Sequence, residues 1–189
     1  MTRKEMYFRS PALKKRKALS GKRLLFLAMV AVIVMLFLRL FVVDIIQVTS
    51  ASMQPTVNTG VRYLLEKFTC RVSKPKKNDI VVFPSPVLKH HNLVKRIIAT
   101  EDDIIEIKKK EVYINNIKLD EKFVYHSRDT VILVGDNLGP LQVPKDMVFV
   151  MGDNRDESED SRDWKDSTTG EHICFIPVDR IIGKIILLR

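Results

Sequence analysis

Hydrophobic positions along this chain fall into two regimes. From residue 24 to 43 the run LLFLAMVAVIVMLFLRLFVV is apolar throughout, broken only by Arg39. At a helical rise of ~1.5 Å per residue it spans ~30 Å, the thickness of a bilayer core. Arg39 stands near enough to its far end to reach the interface with its long side chain. Beyond Asp44 the pattern changes. Short runs rich in β-branched and aromatic residues recur, bounded by Pro, Asn, Asp or Gly: VRYLLE (61–66), DIVVF (79–83), NLVKRII (92–98), DIIEI (103–107), EVYIN (111–115), TVILV (130–134), MVFVM (147–151) and RIIGKIILL (180–188). None sustains a 3.6-residue period beyond two turns, so they predict strands. Asn115-Asn116 predicts a hairpin turn, because Asn tolerates positive φ. The segment Phe83–Val87, bracketed by prolines, predicts extended, irregular chain. The expected fold is mainly β: an antiparallel β-sheet domain, barrel- or sandwich-like, preceded by a single transmembrane helix.

Charge sharpens this picture. The 189 residues carry a formal net charge of +9. Residues 1–23 contribute +8 of it, with Glu5 the single acid among nine Lys and Arg. A basic chain attracts polyanions, but here the charge is massed directly before the apolar run and nothing beyond it supports nucleic-acid binding. The positive-inside rule instead makes 1–23 a cytoplasmic tail, 24–43 a signal anchor and 44–189 an extracytoplasmic domain of the cell membrane. The competing reading is a cleaved signal peptide. That would need a shorter apolar core followed at once by a small-x-small site, whereas Thr49-Ser50-Ala51 lies beyond Asp44. Seven glycines and eight prolines exclude collagen-like and low-complexity classes. Cys70 and Cys174 cannot make a disulfide-dense scaffold; a single bridge between them is permitted, and spacing leaves it open. The four histidines show no metal spacing with carboxylates, so no metal is expected.

Three segments hold chemistry. In Ser50-Ala51-Ser52-Met53-Gln54-Pro55-Thr56, serines at i and i+2 of an extended chain face the same side. One can attack a carbonyl while the other donates to the oxyanion; the alternative is a polar linker. In Leu93-Val94-Lys95-Arg96-Ile97-Ile98, alternation places Lys95 with Leu93 and Ile97. Either Lys95 faces solvent, or burial lowers its pKa and supplies a neutral amine as general base. The stretch from Met151 to Arg162 is either a polar surface loop or a network of paired acids and bases bracing a site.

Taken together these segments resemble the bacterial type I signal peptidases, or leader peptidases. The family's S-x-S-M-x-P-T stands at 50–56 as SASMQPT, its K-R-V-I-G-L-P-G-D-x-V-E aligns with KRIIATEDDIIE at 95–106, and M-G-D-N-R-D-x-S-x-D-S-R is matched throughout at 151–162. The departure is at 99–103, where G-L-P-G-D reads Ala-Thr-Glu-Asp-Asp. The resemblance covers 44–189 and fits a compact Gram-positive-like form. It implies a serine endopeptidase with Ser52 as nucleophile and Lys95 as general base, and Ser50 with the Ser52 N–H as oxyanion hole. Ser158 would orient the lysine, and Asp153, Arg155, Asp160 and Arg162 would hold the site's architecture. Val48, Thr49 and Val94 flank the dyad as candidate walls for small residues of the substrate. The implied partners are exported pre-proteins, cut after a small-x-small site, and the lipid bilayer, with no cofactor. A membrane-anchored assembly factor of this fold that had lost catalysis would show a substituted Ser52 or Lys95, and both are intact. A self-cleaving Ser/Lys regulator would carry a DNA-binding or soluble module where the apolar run stands.

Overall fold

The computed structural model describes residues 20–128 and 130–187, so most of the expected basic tail lies outside the described residues. The first element is the helix α1 (Gly21–Phe41), long and apolar enough to cross a membrane and with none of its residues buried. No proline interrupts it, and leucine, which favours the helix, is its commonest residue. It stops two residues short of the apolar run's end. Among the described residues, those up to Leu36 form one unit and those from Phe37 onward another.

The second unit is built from β1 (Val43–Gln47), β2 (Arg62–Glu66), the one-turn helix α2 (Thr69–Val72), β3 (Ile80–Pro84), β4 (Asn92–Thr100), β5 (Ile104–Lys108), β6 (Glu111–Ile114), β7 (Ile117–Lys118), β8 (Leu138–Gln142), β9 (Met147–Met151), β10 (Ile176–Pro177) and β11 (Gly183–Ile186). Its only other helical piece among the described residues is a 3-10 turn at Val178–Arg180. The strands form a seven-stranded sheet in the order β1-β2-β11-β3-β4-β9-β10 and a four-stranded sheet in the order β7-β6-β5-β8, with every pairing antiparallel. The Asn115-Asn116 hairpin forms as expected, both residues at positive φ between Ile114 and its partner Ile117. After Pro84 the chain turns, with Ser85 Oγ accepting from the N–H groups of Val87 and Leu88.

Burial explains the two kinds of strand. In β3, Val81 and Phe83 pack with Ile97, Val148, Val150, Trp164 and Ile176, while Ile80 and Val82 pack with Val48, Met53, Val57, Leu65 and Ile185. In β9, Val148 and Val150 join the first of these groups, whereas Phe149 and Met151 join a third with Ile98, Ile105, Ile107, Val112 and Val143. Strands covered on both faces need apolar residues at consecutive positions, which is why IVVF and VFVM do not alternate. The β5–β6 hairpin is covered on one face. Ile105, Ile107, Val112 and Ile114 are buried there, and Ile104 and Glu111 face out.

Two expectations are corrected. Thr130–Val134 is not a strand. It finds no ladder partner, Val131, Ile132 and Val134 are exposed, and its hydrogen bonds are local, closing a Leu133–Asp136 turn. The strand in this region is β8, whose Gly139 and Pro140 hid it. The Ser50–Thr56 segment is likewise not extended, since Ala51–Val57 makes turns in which Val57 N–H reaches Met53 O at 2.9 Å. Both cysteine thiols are free.

Ile97, fully buried in the central strand, should cost about 2–5 kcal/mol when cut to alanine. Ile117→Ala, at a 73% exposed position, should stay within about 0.5 kcal/mol. Urea unfolding of the full chain in detergent measures both.

Candidate active site

Lys95 occupies the middle of β4, between β3 and β9, and its side chain is 2% exposed. Its amine donates to Ser158 Oγ at 2.8 Å, and Ser158 donates in turn to Asp160 Oδ2 at 2.7 Å. An ionised carboxylate only accepts, so the serine's one hydrogen is committed to Asp160 and the serine can only accept from the lysine. A neutral Lys95 held in this way keeps its lone pair free. Burial strips water from the ammonium and lowers the pKa to about 8; the charge of Asp160 opposes that fall and Arg162 adds to it.

Asp160 is itself fully enclosed. Burial works against its ionisation, but the charge and hydrogen bonds of Arg162, the charge of Lys95 and the Gly152 N–H together hold its carboxyl below the usual range. Arg162 Nε donates at 2.8 Å and Gly152 N at 3.0 Å. Arg162 also reaches Arg155 O at 2.8 Å, and Arg155 pairs with Glu121. Arg96, which sequence reasoning did not single out, leaves the face of β4 opposite Lys95. It grips Asp153 with two hydrogen bonds of 2.8 and 2.6 Å and stacks 3.9 Å from the Phe123 ring centroid. Its signal in the sequence was a charge set inside an apolar strand.

The two serines arrive from the other side. Ser50 Oγ and Ser52 Oγ lie 3.2 Å apart, although the chain between them is turned rather than extended. Ser52 is buried, and its carbonyl accepts from Asn154 N–H at 3.0 Å while the Asn154 side-chain amide donates to Ala51 O at 3.3 Å. The two halves meet across Gly152. A Cβ on that residue would lie 2.3 Å from Ser158 Oγ and 2.4 Å from Ser52 O, so only glycine lets the serine segment and the lysine's partner approach so closely. Ser52 Oγ bonds to Ser50 and the Lys95 amine to Ser158.

Lys95, Ser158, Asp160, Arg162 and Arg155 thus form one hydrogen-bonded chain, Ser50 and Ser52 form a pair whose backbone is held by Asn154, and Asp153 pairs with Arg96 on the other face of β4. Of the expected wall residues, Val48 is buried with Met53 and Val57, Val94 packs at the edge of that same group, and Thr49 is exposed. The turn that departs from the expected pattern is also visible. Asp103 N–H bonds to Thr100 O at 3.1 Å, and the Asp103 carboxylate accepts from Thr100 N–H at 2.9 Å. Asp102 takes φ +68°, the left-handed conformation for which the family pattern supplies its second glycine.

The sequence profile of the family described as signal peptidase, peptidase S26, matches residues 21–188. A signal peptidase I P of Bacillus subtilis subsp. natto is 34% identical over 163 residues, covering 81% of this chain and 88% of the relative. A probable signal peptidase I-2 of Synechocystis sp. is 33% identical over 159 residues, covering 82% of this chain and 66% of the relative. The crystal structure of a signal peptidase I from Enterococcus faecalis V583 is 27% identical, with a TM-score of 0.46 over 60% of this chain and 98% of that one. With its profile matched almost from end to end and relatives of this identity over four-fifths of its length, the chain belongs to the signal peptidase family, peptidase S26.

Proposed function

We propose that the chain is a membrane-anchored serine endopeptidase that removes signal peptides from exported pre-proteins after a small-x-small site, using Ser52 and Lys95. Family membership supports the signal-peptide-removing peptidase, and the observation that carries the dyad is the dry Lys95 amine held by an acceptor-only Ser158. In this reading neutral Lys95 takes the Ser52 proton as Ser52 Oγ attacks the scissile carbonyl carbon. The tetrahedral oxyanion is held by the Ser50 hydroxyl, 3.2 Å from the attacking oxygen, and by the Ser52 N–H. The lysine ammonium protonates the leaving amine as the C–N bond breaks. Water, deprotonated by the same lysine, then attacks the ester, and Ser52 recovers its proton. Asp153, Arg155, Asp160 and Arg162 hold the geometry and touch no reacting atom.

The helix Gly21–Phe41 is the membrane anchor of this reading, with the basic residues before it on the cytoplasmic side and the sheet domain outside. Ser52 lies eight positions beyond Asp44, at most ~26 Å of extended chain, so the nucleophile works near the bilayer surface. A cleavage site just past a membrane-embedded apolar core emerges at that level. Val48, Thr49 and Val94 are the proposed walls for the small side chains.

In a cleavage assay with a pre-protein in detergent, Ser52→Ala and Lys95→Ala should each lower kcat by at least about 10³-fold. Near-normal cleavage by either would sink the dyad. Because the ammonium form of Lys95 cannot accept a proton, kcat/KM should rise with pH through an ionisation at about 8. A profile that climbs only near the ~10.4 of free lysine would contradict a desolvated base. Gly152→Ala should reduce kcat by roughly 100-fold, because the added carbon forces the Ser52 carbonyl and Ser158 apart.

A further inference from the structure

Two charges outside every motif of the site, one partly buried and one fully, remain without a task. Lys110 closes the turn between β5 and β6 at φ +73°, and Asp136, 1% exposed, sits in the loop before β8. The two segments are stitched together, since Lys110 N–H bonds to Asp136 O at 3.1 Å and Lys109 N–H to Asn137 Oδ1 at 3.0 Å. The loop is also pressed onto the site. At Gly135, φ +88°, a Cβ would lie 2.6 Å from Arg162 Cβ and 3.0 Å from Asp163 Oδ1. Asp136 therefore stands between two cations, with Oδ1 3.6 Å from Arg162 Nη1 and Oδ2 3.9 Å from Lys110 Nζ, while Oδ2 also accepts from Leu133 N–H at 2.6 Å. We infer that Lys110 and Asp136 are positioning residues that set the charge balance at Lys95 through Arg162 and Asp160. The inference rests on reading Lys95 as the base.

Charge alternates along a path from the β5–β6 turn to Lys95. From the turn inward the order is Lys110, Asp136, Arg162, Asp160 and, across Ser158, Lys95. Arg162 faces Asp160, Asp136 and Asp163, and its carbonyl meets His172 Nε2 at 2.7 Å. Lys95 feels Asp160, Arg162, Glu159 and Asp163. Lys110 is shared with a further carboxylate, and the other nearby charges are paired among themselves. Asp156 holds Lys110 Nζ at 2.9 Å, Arg128 N–H at 2.7 Å and His126 Nδ1 at 3.5 Å, Arg96 is paired with Asp153, and Arg155 with Glu121. Asp136 is thus, with Asp160, one of two carboxylates within salt-bridge distance of Arg162, and Asp163 acts on it as well. Removing its charge leaves more of the guanidinium's field on Lys95 and disfavours the ammonium. Removing the charge of Lys110 does the opposite.

The experiment is the pH dependence of kcat/KM for a peptide spanning a small-x-small site, with the full chain in detergent. Asp136→Asn should move the acid limb to lower pH and Lys110→Met to higher pH, each by about half a unit, and Lys110→Arg should restore the wild-type position. A residue that only braced the fold would lower the rate without moving the limb. Limbs that stay in place, or that move in the same direction, would overturn the inference. If Asp136→Asn does not yield folded protein, Lys110→Met against Lys110→Arg decides alone. Failure of the underlying reading shows separately, as cleavage retained by Lys95→Ala.

Discussion

A carboxylate with no contact to water persists inside a protein only when every lone pair it presents is met by a donor. Asp160 satisfies that condition with the Ser158 hydroxyl, the Gly152 N–H and the Arg162 guanidinium, and the rest of the site follows from it. Because it claims the Ser158 hydrogen, Ser158 faces Lys95 as an acceptor. Because it claims the Gly152 N–H, the chain at the end of β9 is fixed where Ser52 must meet it. Because it needs Arg162, a cation is placed near Lys95 and helps to disfavour a second one there. One buried charge thereby orients the Lys95 amine and locates the Ser52 backbone; its own field favours the ammonium, and burial together with the Arg162 it recruits works the other way.

Such a site requires strands dry on both faces. Were β4 covered on one side only, one of Lys95 and Arg96 would reach solvent, because neighbouring residues leave a strand in opposite directions. The central position of β4, flanked by β3 and β9 and covered by separate apolar groups above and below, keeps both buried. Each then has to be matched by a group from the 152–162 loop, Lys95 by Ser158 and Arg96 by Asp153. The sheet and the loop specify one another, since removing either partner would leave an uncompensated polar group in the interior.

Much of this was legible in the amino-acid order. The short β-branched and aromatic runs marked β3, β5, β6 and β9, and Asn115-Asn116 marked the turn after β6, because each is set by local chemistry. Thr130–Val134 misled because β-branched composition gives strand propensity without a partner, and pairing is a tertiary fact. β1 was hidden by its continuity with the apolar run before it, and β8 by Gly139 and Pro140. The residues of the site could be named from their motifs, but not the contacts that hold them. Nothing in the sequence says that the Asn154 backbone reaches the Ser52 carbonyl, that Arg96 is the partner of Asp153, or that Lys110 and Asp136 meet 26 positions apart. At Asp102 the sequence departed from the expected glycine, yet the backbone takes a left-handed conformation there, because aspartate is among the few residues that enter it at small cost.

Gly152 carries a consequence for how such a site can change over generations. Every residue other than glycine begins with the same β-carbon, so no substitution at this position is more conservative than another at its first atom. The surrounding acids and bases can in principle be exchanged in compensating pairs, and Asp102 shows that even a glycine elsewhere in the domain can be given up. Position 152 offers no such path. A lineage that lost this glycine would have to move a serine segment and a loop together, which makes it a point where drift halts while the sequence around it continues to diverge.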